Sequence, residues 1–139
     1  MSIGYIERRR GGDTVRIVER EHERVRLSEA ERDSALPPGL SPRQRARLVG
    51  DLGRPEYRRV FERIVIDDDD NVWVMLAREP NVDTTTFDVF NPKVLYLGAV
   101  TAPYRVESLP PPVVRYDRIV FLVKDDLDVP FVTMMRVVK

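Results

Sequence analysis

Between Ile64 and Val100 the chain reads IVIDDDDNVWVMLAREPNVDTTTFDVFNPKVLYLGAV. Apolar runs of a few residues alternate with clusters that turn a backbone. Runs this short favour strands over helices, and β-branched and aromatic residues dominate them. Phe61–Ile66 reads as a first strand. Asp67–Asn71 follows as a turn, because short polar side chains bond their own backbone. Val72–Leu76 is apolar throughout, as in a strand buried on both faces. Arg78–Asp83, with Pro80, is a loop. Thr85–Phe90 is the third strand, Asn91-Pro92-Lys93 a turn and Val94–Val100 the fourth. The expectation is one four-stranded antiparallel sheet, with no helix anywhere in Val72–Val100.

A weaker copy follows. Val72–Leu76 aligns with Ile119–Val123, and Val89-Phe90 with Met134-Met135, displaced by about 45–47 residues, within the roughly 40–50 of repeated four-stranded units. Leu109–Val114, interrupted by Pro110–Pro112, would be the first strand of this copy. Arg118–Val123 and Phe131–Val138 would be its second and third. A unit of this kind repeated along a chain is the mark of a β-propeller blade. The fold expected is therefore mainly β, with propeller-type blades.

The first half differs. Ile3–Arg9 and Thr14–Arg20 are β-type runs around Gly11-Gly12-Asp13, whose glycines suit a hairpin turn. Ser28 and Glu31 have the spacing of a capping box, so a helix over Glu29–Leu36 should follow and end at Pro37-Pro38-Gly39. Ser41-Pro42 should start a second helix running to Leu52 and stopping at Gly53. The predicted organisation is one domain: a hairpin over 1–20, a two-helix insertion over 21–60, a complete blade over 61–101 and an incomplete one over 102–139.

Composition excludes several functions. The 139 residues carry 23 Lys plus Arg and 23 Asp plus Glu, for zero net charge and no global attraction to nucleic acid or an anionic membrane. Cysteine is absent, which removes disulfides and thiol chemistry. No apolar run approaches the roughly 18 residues of a membrane helix, and Met1–Tyr5 does not read as a signal peptide. Arginines crowd the first half, but Glu7, Glu19, Glu21, Glu23, Glu29, Glu31 and Glu62 interleave with them. That reads as a solvated face rather than a phosphate surface.

The blade residues resemble the carboxy-terminal part of six-bladed β-propellers of the NHL and TolB-like groups. Ile66–Val74 is similar to their strand, Asp-x-x-Gly-Asn turn and apolar-aromatic strand. Phe87–Pro92 is similar to their Val-Phe-Asp-Pro passage. Asp13–Arg20 and the capped helix resemble the passage before the last blades. Two departures stand out: Asp70 occupies the usual turn glycine, and Lys93 follows Pro92 without one. A closed six-bladed ring needs on the order of 240 residues, so the chain reads as a fragment, a decayed copy or an assembling protomer. The resemblance also implies that relatives are often exported.

No catalytic, cofactor-binding or metal site is assigned. Asp67–Asp70 invites calcium, but it lacks the EF-hand spacing, the bend glycine and a downstream bidentate Glu, and reads as a polar turn. Trp73 should pack between blades. His22 has no serine, cysteine or second histidine placed for a triad. Met134-Met135 reads as packing. The function expected is a non-enzymatic interaction or scaffold module. The alternative is part of a ligand-binding or lactonase-like propeller with its site residues in other blades. The partner expected is a protein or a second copy, not nucleic acid or membrane. The open edge beside Phe131–Val138 would be filled by another strand, Ile3–Arg9 or Thr14–Arg20, of the same chain or of a partner.

Overall fold

The computed structural model describes residues 2–8, 14–21, 23–34, 36–53, 56–79 and 81–138, with backbone alone for 2–8, 14–20 and 52. The protein is mainly β. β1 (Ser2–Arg8) and β2 (Thr14–Glu21) form an antiparallel pair. The expected Gly11-Gly12-Asp13 turn, Pro80 and His22 lie outside the described residues. Neither β1 nor β2 joins another sheet among the described residues. Within the chain, therefore, neither fills the edge beside the last strand. The two pair with each other instead.

Both helices start where their capping residues stand. α1 (Glu29–Ser34) begins after Ser28, whose Oγ accepts the Glu31 N–H at 3.3 Å while Glu31 Oε2 accepts the Ser28 N–H at 2.9 Å. It ends before the expected Leu36, because Leu36 precedes Pro37 and such a residue is pushed out of helical geometry. α2 (Pro42–Leu52) has a second capping box, Ser41 with Gln44, and stops at Gly53, whose φ is 71°. The chain is pinched where the helical segment leaves and returns. Leu27 N–H bonds the Glu56 carbonyl at 3.0 Å, and Arg58 N–H bonds that of Val25 at 2.9 Å. Both helices are therefore an excursion from one β-bridged neck.

Beyond the neck lie two open antiparallel sheets. β3 (Phe61–Ile66), β4 (Val72–Leu76), β5 (Thr85–Phe90) and β6 (Tyr96–Ala102) pair in chain order. β7 (Val113–Arg115), β8 (Arg118–Lys124) and β9 (Pro130–Arg136) form the second sheet, also in chain order. β6 starts later than the expected Val94 because Asn91–Leu95 is one continuous turn. β7 is a remnant of the expected Leu109–Val114 strand, since Pro110–Pro112 have no N–H to donate. Val106 and Glu107 cover the other end of β8 instead: Val106 bridges Val123, and Glu107 N–H bonds the Leu122 carbonyl at 2.8 Å.

The core joins the two sheets. Trp73, Met75, Phe87 and Val89 on one face of the four-stranded sheet form a continuous cluster with Val114, Ile119, Phe121 and Val123. Trp73 and Phe87 meet edge to face, their ring centroids 6.2 Å apart. The expected packing role of Trp73 is thus its actual place. Thr85, wholly buried, clips the crossover between the sheets: its Oγ1 donates to the Tyr104 carbonyl at 2.9 Å and accepts the Val106 N–H at 2.9 Å. The opposite face of the four-stranded sheet is also closed at its centre, where Val72, Val74 and Phe90 are buried.

Candidate docking surface

Three hairpin turns share one construction. In Asp67–Asn71, Asn91–Leu95 and Asp125–Val129 the first residue's Oδ1 accepts the N–H of the third and fifth residues. Its carbonyl accepts the N–H of the fourth, and its own N–H donates to the carbonyl of the fifth. The fourth residue must take a left-handed conformation, and Asp70, Val94 and Asp128 do so at φ 60°, 68° and 64°. This is a tight turn followed by a one-residue bulge, in which glycine is the unstrained choice. The glycines noted as missing in the sequence are missing at these turns, and the strained residue of the second turn is Val94 rather than Lys93. The Asp125 turn was not singled out in the sequence, although its leading Asp was the available signal.

The acidic run Asp67–Asp70 is accounted for by this construction. Asp67 Oδ2 also accepts Nδ2–H of Asn71 at 2.8 Å and Nε1–H of Trp73 at 2.9 Å. Partial burial pushes the Asp67 carboxyl up, but hydrogen bonds from the Asn71 side chain, the Trp73 indole and the Asn71 and Asp69 backbones outweigh it, leaving the group below its ordinary value. Both oxygens are thus engaged with N–H groups. Asp68 faces Arg115 at 3.8 Å. Among the described residues, no group of three or more His, Asp or Glu is placed to hold a metal ion.

Glu31 plays a comparable part at the neck. The Ser28 N–H and hydroxyl hold its carboxyl below the ordinary value, slight burial opposes this, and Arg58 adds to the lowering from 2.6 Å. Arg24 and Arg26 lie over the Tyr57 ring, at 5.1 and 6.0 Å from its centroid. At one end of the sheets is a cleft of about 370 Å³ lined by Arg78, Arg105 and Lys124 together with Asp83, Glu107 and Asp125 among its acids. With Asp126 and Asp128 also in the lining, its acids outnumber its bases. Among the described residues, no helix is long and apolar enough to cross a membrane.

The remaining feature is the outer face of the three-stranded sheet. Ile119, Phe121 and Val123 point into the core, so alternation turns Val120 and Leu122 outward. Directly opposite residues share a face. Val120 is opposite both Val113 and Met134, and Leu122 is opposite Val132. Val113, Val132 and Met134 are 51%, 70% and 59% exposed. Arg115, Arg118 and Arg136 stand at one end of this apolar face and Lys124 at the other. Met135, by contrast, packs against the core, so the Met134-Met135 pair read as packing divides between two faces. The sequence signal was the alternation of β9, but counting its residues only as apolar hid which of them face water.

The two outer edge strands also differ. β6 is interrupted by a bulge opposite Val89-Phe90, and Gly98 lies at φ 137°. β9 pairs with β8 without a shift from Pro130 to Arg136 and, among the described residues, has no further strand on its other side. Fold and surface together define a mainly β protein of open antiparallel sheets, with an exposed apolar face on the three-stranded one. The chain matches no protein-family model, curated protein or solved structure.

Proposed function

We propose that this protein is a non-enzymatic interaction module whose two larger sheets act as successive β-propeller-type blades, and that it docks protein through the outer face of β7–β9. The observation carrying this is the exposed apolar face of Val113, Val120, Leu122, Val132 and Met134. Contiguous apolar surface ringed by charge is what protein contacts bury. In a row of stacked blades this is the face on which the next sheet would pack, as the four-stranded sheet packs on the opposite side.

The test is a photo-crosslinking amino acid placed in turn at Val132 on this face and at Leu97 on β6, in cells. The expected outcome is protein adducts from Val132 and few from Leu97. Equal yields from both, or none from either, would overturn the reading.

A further inference from the structure

Beside that docking reading, we infer that the same sheet also joins a second copy of this chain, edge to edge, through antiparallel pairing of β9 with β9. A solvated edge strand offers unpaired backbone N–H and carbonyl groups, and soluble proteins protect such edges with bulges, inward charges, mid-strand lysine or a very short strand. β6 has the bulge. β9 is seven residues long, in unbroken register with β8, and from Phe131 to Met135 reads Phe-Val-Thr-Met-Met with no charge and no proline. Its only proline, Pro130, stands at the first position, where it removes a single donor.

The charges select the partner. The turn end of β9 is acidic, with Asp125, Asp126 and Asp128 against Lys124. The other end carries Arg115, Arg118 and Arg136, met by Asp117 and by Asp68. A parallel pair of such strands would set like charge on like. An antiparallel pair about a two-fold axis brings the Arg136 end of each copy to the Asp126–Asp128 end of the other. A two-fold interface needs one self-complementary patch, and this strand supplies both halves. The existing pairs of Arg136 with Asp117 at 2.7 Å and Lys124 with Asp128 at 3.6 Å are exposed and re-form at little cost. Pairing centred near Val132 also continues the apolar face from one copy to the next, because opposite residues share a face. The interface is then the ladder of backbone bonds with its flanking side-chain pairs, and the apolar face runs across it from one copy to the other.

Light scattering or sedimentation on the purified chain tests this. At about 100 μM and low salt, the mass should rise from 16.1 kDa toward twice that value, and it should fall back on dilution or added salt. Val132→Lys, at an exposed position, should remain folded and monomeric. Arg136→Asp should weaken association about tenfold, and Arg136→Asp combined with Asp126→Arg should restore it. A monomer at 100 μM in low salt would overturn the edge pairing. It would leave the docking reading to the crosslinking result, where adducts to other proteins support docking alone. Large aggregates unaffected by the Arg136 and Asp126 exchanges would overturn antiparallel pairing.

Discussion

The two larger sheets are made from similar strands but differ in what covers them. The central strands of the four-stranded sheet, β4 and β5, are buried on both faces. Val74 and Met75 are adjacent residues facing opposite ways, and neither is exposed. The central strand of the three-stranded sheet, β8, alternates buried Ile119, Phe121 and Val123 with half-buried Val120 and Leu122. VWVML and IVFLV are both apolar throughout, and the second, left half-open, is the more hydrophobic in sequence. Apolar sequence therefore reports that a strand is able to be buried on both sides, not that it is. In β8 that capacity is left unused on one side, and the unused side is the candidate docking surface.

The largest effect that sharpens this contrast compares truncations on the two faces of the second sheet. Phe121→Ala removes a ring from the shared core and should cost about 3–5 kcal/mol. Met134→Ala, on the outer face, should cost under about 0.5 kcal/mol in dilute solution. Urea unfolding of both variants reads the difference. Equal losses would mean the outer face is covered in the monomer.

The turns give the second comparison. Asp67→Asn should destabilise by about 2 kcal/mol, because an amide nitrogen at Oδ2 would meet the Trp73 and Asn71 donors and leave them unpaired. Asp125→Asn should be nearly neutral in the same melts. Its Oδ1 accepts backbone N–H groups of Leu127 and Val129, and Asn91 makes the same bonds in its own turn. Acid sensitivity follows the same residues. The folded-state values of Asp67 and Glu31 lie below their ordinary 3.8 and 4.5. Their stabilisation is therefore fully present above those ordinary values, and it is lost as pH falls through the lower folded ones. Denaturation midpoints should be level above about pH 5.5 and decline below about pH 4.5, with a shallower decline in Asp67→Asn.

The smallest effect has the opposite sign. Asp128 sits at φ 64° with an exposed side chain. Asp128→Gly relieves a left-handed conformation and should gain about 0.5–1 kcal/mol, less the small value of the exposed Lys124 pair. A loss read by thermal melting would mean the turn differs from its two counterparts.

Much of the fold was legible because local chemistry and tertiary role agree there. Phe61–Ile66, Val72–Leu76 and Thr85–Phe90 are bounded by turn residues on both sides, and they are strands with those bounds. Ser28 and Ser41 cap the helices for the same local reason. Legibility failed where a long-range partner decides. Nothing in Val106-Glu107 announces that it pairs with β8 while Pro110–Pro112 loop out. The neck formed by Val25–Leu27 and Glu56–Arg58 joins segments about thirty residues apart, beyond what local patterning reads. The docking surface was half legible: the alternation of β9 was in the sequence, but which of its faces meets the core depends on the register with β8.

The absence of cysteine allows the most direct test of the central claim, that one face of the second sheet is open. Single cysteines placed in turn at Val132, Thr133, Met134 and Met135 would be labelled with a thiol reagent in dilute solution. The labelling rate should alternate along β9, fast at 132 and 134 and slow at 133 and 135. Rates at 132 and 134 as slow as at 135 would mean that face is closed, and would contradict the account.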